Sequence, residues 1–330
     1  MSAPSNQAAY LVAKNAKLLE VRSAPYTRPG PDEVVIRTRA VAVNPIDHVI
    51  QNNSLVYGHL KYPAILGFDV SGEVVEVGKN VTRFKVGDRV VAGSHGTSQK
   101  ASQQQRVACS RKTNWPYNTP LCPQPSPRGN IWGGSTSVGC NAIQLAVAAG
   151  YEVITTCSPR NFDYVKKLGA IEAFDYNSKK AVQDIKKAFK RRTTAGAMSM
   201  GSGAADKCLD ILAACKGDKV LSMATYPVPA TPPKRFVVLQ TILTYLSGMI
   251  SLWIKAKRYG IRSGYIAADT LVWNELGPLL YGEFLPKALA EKTFVPAPDP
   301  EVVGHGLENV QKAMDIQSKG VSAKKIVVTL

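Results

Sequence analysis

The chain has 330 residues, 45% of them hydrophobic and 20% charged, a balance that excludes a disordered or fibrous polymer and is long enough for two separate cores. Lys and Arg outnumber Asp and Glu by 41 to 24, a net charge of +17, which attracts phosphorylated cofactors, anionic membranes and nucleic acid alike. The chain has no zinc finger, no RNP-like aromatic run and no repeated basic face, so nucleic-acid binding is not expected. Six cysteines without a C-x-x-C pair, and no basic-then-apolar leader before Tyr10, point to a reducing, cytoplasmic compartment.

The first hundred residues read as strands separated by turns. The run from Glu33 to Arg39 alternates apolar and polar, and Val70 to Val77 and Arg89 to Ala92 repeat a β-rich pattern, with Gly67, Gly72, Gly78 and Gly87 marking the bends. From Ile131 the rhythm changes to alternating helices and strands: helix Val138 to Ala149, strand Tyr151 to Thr156, helix Asn161 to Leu168 and strand Ala173 to Asp175. Helix Lys179 to Lys190 and strand Lys219 to Met223 follow. This alternation is what an α/β doubly wound sheet requires. A helix from Gly306 to Gln317 and a strand from Lys324 to Leu330 close the chain.

Phe236 to Ile254 is an uncharged run flanked by Lys234, Arg235 and Lys255, close to the length of a bilayer-spanning helix. Its polar residues Gln240, Thr244, Ser247 and Ser251 fall at helical spacing and form one stripe. A single stripe suits a helix packed against protein on several sides, and also a membrane helix packed on a partner. The buried or interface helix is the preferred reading, because no second spanning segment exists and both flanks belong to a soluble pattern.

The chemistry concentrates at Gly133, Gly134, Ser135, Thr136, Ser137, Val138 and Gly139, a glycine-rich turn that opens a helix and is followed by a strand. Glycines let backbone approach a pyrophosphate, and the helix start offers unpaired N–H groups and the positive end of its dipole. Dinucleotide choice is written at the tip of the next strand, where an acid would bind the ribose 2′-hydroxyl of NAD. Here the tip reads Thr156-Cys-Ser-Pro-Arg160. Ser158 and Arg160 suit a 2′-phosphate, so NADPH is the expected cofactor. The alternative role for Ser158 is to cap the helix that follows.

Four collinear blocks carry a family resemblance: Pro29 to Ile36, Ala42 to Asp47, Tyr62 to Gly78, and Phe84 to Val91. They resemble the GroES-like catalytic domain of medium-chain dehydrogenases/reductases. The likeness resumes from Ile131 to Leu330, and Trp132-Gly-Gly-Ser-Thr with Cys157-Ser-Pro-Arg-Asn-Phe-Asp is similar to zinc-free quinone oxidoreductases and trans-acting enoyl reductases. The resemblance implies that Ser135 and Thr136 hold phosphate, that Ser158, Arg160 and Tyr176 surround the adenosine end, and that Asn44 and Asp47 lie near the nicotinamide. A structural turn role for Asn-Pro-x-Asp is the alternative for the last two. Where zinc-dependent relatives place a cysteine ligand this chain has Asn44, and where they write Gly-His-Glu it has Gly67-Phe68-Asp69. The four-cysteine lobe is missing too, so no metal site is expected.

Residues 99–130 break the pattern: proline-rich, basic, without an acid and without a strand or helix period. Relatives of this kind run longer here and supply the first strand of the sheet. Arg128-Gly-Asn leaves only Ile131 and Trp132 as apolar residues of that strand, so the segment reads as aberrant, exposed and a weak point for proteolysis, and it leaves turnover by this chain open. The expected division is a GroES-like β-rich catalytic domain, residues 1–129 with 274–330, and a Rossmann domain, residues 130–273. The expected activity is NADPH-dependent reduction, without zinc, of an activated C=C bond (enoyl thioester or enone) or a quinone. The acceptor would be small and lipophilic, free or on an acyl carrier, and the protein a monomer or homodimer. The alternative is a non-catalytic accessory protein derived from such a reductase.

Overall fold

A computed structural model of the chain describes residues 5–52, 60–93, 106–108, 126–227, 237–266 and 274–330. The chain divides into two compact units, residues 1–111 with 299–330, and residues 112–298. Residues 274–298, grouped with the first domain in the division expected from sequence, fall in the second unit.

The first unit opens with strands β1 (Gln7–Leu11), β2 (Glu20–Ser23) and β3 (Glu33–Ala42), helix α1 (Pro45–Asn52), then β4 (Ala64–Ile65), β5 (Asp69–Val77), β6 (Arg89–Gly93) and β7 (Arg106–Ala108). β3 and β5 pair antiparallel from Val34 opposite Val77 to Ala42 opposite Asp69, and β6 extends the sheet from β5. Period-two alternation drives the pairing, because Val34, Ile36, Val70 and Val74 all face one core. Gly72 is required where the strands cross, since a Cβ there would lie 2.2 Å from the Arg37 carbonyl oxygen. β7 pairs antiparallel with β3, Glu33 opposite Ala108. Part of the stretch that looks patternless in sequence is therefore a strand; the rest of residues 99–125 lies outside the described residues.

The second unit contains β8 (Arg128–Trp132), α2 (Ser137–Ala148), β9 (Glu152–Cys157), α3 (Phe162–Lys167), β10 (Ala170–Asp175), α4 (Ala181–Ala188), β11 (Thr193–Ser199) and α5 (Ala204–Ala213). β12 (Lys216–Gly217), β13 (Val220–Met223), α6 (Val237–Arg258), β14 (Arg262–Tyr265), a π-helical turn (Pro278–Phe284) and α7 (Leu285–Ala290) follow. Its main sheet runs β10-β9-β8-β11-β13-β14, all parallel. Numbered by appearance this is the order 3-2-1-4-5-6 of a doubly wound dinucleotide-binding sheet. Helices cover it, so Val153, Ile154 and Leu221 are fully buried.

Two expectations meet the structure here, and the first fails. The first strand of the sheet is present: β8 pairs with β9 on one side and β11 on the other, and Asn130, Ile131 and Trp132 are all buried. Its polar start is accommodated because the ladder bonds come from backbone, and because Arg128 is answered. Its guanidinium donates to Glu152 at 2.8 Å and to the Ala188 carbonyl at 2.5 Å, while Arg192 binds the other oxygen of Glu152. The second is α6, expected as a buried or interface helix, which is buried along one face only. Leu252, Ala256 and Tyr259 pack inward, whereas Leu239, Ile242, Leu243, Leu246, Ile250, Trp253 and Ile254 are exposed. Among the described residues, no helix is long and apolar enough to cross a membrane.

The chain returns to the first unit through β15 (Asp299–His305), α8 (Val310–Ser318) and β16 (Lys324–Thr329). β16 lies between β15 and β3, parallel to the former and antiparallel to the latter. Ala313 and Met314 on α8 pack with Ile326, Val328 and Val43. The helix expected from Gly306 begins only at Val310, because Gly306 has φ of +92° and a 3-10 turn, Leu307–Asn309, intervenes.

Candidate functional site

The parallel registers set Trp132 opposite Thr156, Phe174 opposite Thr156 and Asp175 opposite Cys157. The carboxyl ends of β8, β9 and β10 therefore finish level, and the residues that follow them, Gly133, Ser158 and Tyr176, emerge along one edge. Strand order reverses between β8 and β11, which makes this edge the position where such sheets bind ligands.

Sterics and hydrogen bonds fix the turn after β8. Gly133 has φ of +95°, and its N–H reaches both Thr156 Oγ1 at 3.1 Å and the Thr156 carbonyl at 3.2 Å. Gly134 donates to the same carbonyl at 2.9 Å, and a Cβ there would lie 2.0 Å from Thr155 Oγ1. At Gly139 a Cβ would lie 2.2 Å from the Gly133 carbonyl oxygen, so only glycine lets α2 sit this close to the turn. Thr136 caps α2: its hydroxyl accepts from Gly139 N–H at 3.0 Å and donates to the Gly133 carbonyl at 2.8 Å. Backbone N–H groups of Ser135, Ser137 and Val138 have no partner among the described residues. They are donors at a helix start, where the dipole favours an anion.

At the tip of β9, Ser158 makes no side-chain capping bond, so the capping alternative is not realised. Arg160 is exposed and has no ion pair among the described residues, while Tyr176 is half-exposed directly after β10. No carboxylate occupies this tip. Asp175, opposite Cys157 at the end of the neighbouring strand, accepts from the Asn177 N–H. The two free hydroxyl and guanidinium groups, the open N–H groups and the absent Cβ atoms together fit a phosphorylated dinucleotide.

In the first unit Asn44 and Asp47 form the start of α1, a helix start rather than a free-standing turn. Asn44 N–H donates to Asp47 Oδ2 at 2.8 Å, and Asp47 N–H donates back to the Asn44 carbonyl at 3.1 Å, a reciprocal cap with Pro45 at the first helical position. Asp47 is buried with Oδ1 unpartnered, and burial pushes its carboxyl up to about 6, against the Asn44 N–H that lowers it. The Asn44 side chain belongs to a second network: Nδ2 donates to Asp69 Oδ2 at 2.9 Å, and Lys325 Nζ donates to Asn44 Oδ1 at 2.5 Å and pairs with Asp69 at 2.7 Å.

Lys325 is the residue sequence reading missed, since it stands 281 positions from Asn44 and no local spacing links them. Phe68 packs with the apolar cluster of Leu11, Ile50 and Ala64. The polar groups at Asn44 are thus its own amide, the Asp47 and Asp69 carboxylates and the Lys325 ammonium, with no thiolate or imidazole among them.

Residues 30–155 match the family description "Alcohol dehydrogenase GroES-like domain", and residues 137–255 match "Zinc-binding dehydrogenase". The chain is 46% identical to dehydrogenase pigH of Monascus ruber, over 99% of this chain and 100% of that protein. It is 31% identical to trans-enoyl reductase himH of Aspergillus japonicus, over 100% and 99% of the two chains. Its fold is similar to that of the Escherichia coli quinone oxidoreductase solved with NADPH, with a TM-score of 0.69 and 16% identity, over 99% and 100% of the two chains. The alignment with pigH spans 368 positions against 330 residues here, so at least 38 of its positions have no residue of this chain opposite them.

Proposed function

We propose that this chain, which belongs to the medium-chain dehydrogenase/reductase superfamily and is an oxidoreductase of its zinc-free type, uses NADPH to reduce an activated C=C bond of an enoyl thioester or enone, or a quinone. The observation that carries the reading is the carboxyl edge of the second unit's sheet, where a glycine turn, open N–H groups and an unpaired arginine stand together. When bound, the nicotinamide supplies the hydride. Ser135, Ser137 and Val138 would hold the pyrophosphate, and Ser158 with Arg160 would hold the 2′-phosphate, a contact NADH lacks. Tyr176 would flank the adenosine.

On the acceptor side, Lys325 and Asp69 fix the orientation of the Asn44 amide, leaving its second N–H to polarise an acceptor carbonyl. Asp47 is buried and acts as a cap that holds Asn44, a positioning role rather than proton donation. The names of himH and of the Escherichia coli protein support an enoyl or quinone acceptor. The accessory-protein reading rested on the whole aberrant segment, residues 99–130; β8 supplies the first strand of the sheet, while residues 99–105 and 109–125 lie outside the described residues.

The test is oxidation of NADPH followed by absorbance with an α,β-unsaturated thioester, an enone and a benzoquinone as acceptors. Turnover with at least one is expected, with Asn44→Ala lowering kcat. Arg160→Ala should weaken NADPH binding by about 1–3 kcal/mol and leave NADH binding unchanged. Failure of all three acceptors with a folded, NADPH-binding protein would contradict the proposed reaction.

A further inference from the structure

α6 presents two opposed apolar faces. At 100° per residue, Tyr245, Gly248, Leu252, Ala256 and Tyr259 share one face, and the structure packs it inward: Leu252, Ala256 and Tyr259 join the core, and a Cβ at Gly248 would lie 2.6 Å from Pro227. Leu239, Leu243, Leu246, Ile250, Trp253 and Ile254 share the opposite face and are 49–60% exposed. This stripe runs about 22 Å along the helix. A shallow groove borders it, with Ser247, Ile250, Ser251, Ile254, Lys255 and Arg258 among its lining residues.

The charges on the helix and in the sequence flanking it have one sign. No acidic residue occurs in the sequence between Asp218 and Asp269, whereas Lys234 and Arg235 precede the helix and Lys255, Lys257 and Arg258 end it. Lys255 is tied to Asp206 and Asp210. Lys257 and Arg258 are exposed and have no ion pair among the described residues, and Lys257 lies on the axis of the stripe itself. A two-fold pairing of stripes from two copies would bring basic end against basic end in either direction, with no carboxylate on the helix to answer them. A surface that is apolar in depth and anionic at its rim answers both features.

We propose that α6 is a docking face that lies in the plane of an anionic lipid bilayer, with its outer stripe inserted at the headgroup boundary and Lys257 and Arg258 among the lipid phosphates. The helix lies along the bilayer rather than across it, because its opposite face is packed on the core of the second unit.

Flotation of the full chain with vesicles of phosphatidylcholine, alone or mixed with phosphatidylserine, tests this. Binding to the mixed vesicles is expected, falling as salt is raised. L243E/I250E, two exposed positions, should abolish it, and K257A/R258A should weaken it roughly tenfold or more. Far-UV circular dichroism and NADPH affinity should stay unchanged in all variants, which separates loss of docking from loss of fold or of the cofactor site. A folded chain that stays unbound with both vesicles, or binds both equally, overturns the proposal. So does a homodimer that L243E/I250E dissociates while lipid is ignored.

Discussion

β8 and α6 invert each other. β8 is five residues, three of them arginine, glycine and asparagine, yet it is the central strand of the second unit and its last three residues are buried. α6 is 22 residues of mostly hydrophobic sequence, yet one long side of it faces solvent. Burial is therefore not a reading of apolarity alone. A central parallel strand is held by two ladders of backbone bonds and needs only that its polar side chains find partners. A helix buries only the face that its neighbours reach.

The largest expected effect comes from placing the same substitution in both regions. Ile131→Asp on β8 should cost more than about 4 kcal/mol, enough to unfold the second unit, because it buries an unpaired charge. Ile250→Asp on α6 should change stability by no more than about 0.5 kcal/mol. Urea denaturation of the two variants checks both, and equal costs would break the comparison. Next in size is Glu152→Ala, which leaves the Arg128 guanidinium, 11% exposed, without its carboxylate and should cost about 3 kcal/mol.

What was legible in the sequence follows the same physics. α2, β9, α4 and β13 have periods that match their burial, and their positions were readable to within a few residues. The glycine turn was readable because each glycine meets a steric need set by its own neighbours. β8 was not, because its compensation is distant: Glu152 and the Ala188 carbonyl answer Arg128 from 24 and 60 residues away. α1 was hidden by Asn-Pro-x-Asp, which serves a turn and a helix cap equally well. The Lys325 contact to Asn44 depends on β16 joining β3, which no local pattern announces.

Asp47 repeats in the first unit the condition of the polar residue inside β8, a buried group with an oxygen left over. Its carboxyl stands at about 6 in the folded chain against 3.8, so the folded state keeps a proton that the unfolded state releases. This group's contribution is greatest below pH 4 and is lost as pH rises through 6, by about 2–3 kcal/mol. Asp47→Asn should remove that decline, seen as the difference between the two stability profiles from pH 4 to 7.

The smallest effect expected of a buried position is at Asn130, whose Oδ1 is buried without a hydrogen bond and whose Nδ2 reaches only Cys208 Sγ at 3.7 Å. Asn130→Val should stabilise the second unit by about 1 kcal/mol, read as a higher Tm.

The central claim is that β8 delivers a working phosphate turn despite its composition. Its most direct test is a fluorescence titration of the unaltered chain with NADPH and, separately, with NADH. The account predicts saturable NADPH binding at one site per chain and NADH binding at least roughly tenfold weaker. No saturable binding of either, or equal affinity for both, would contradict it.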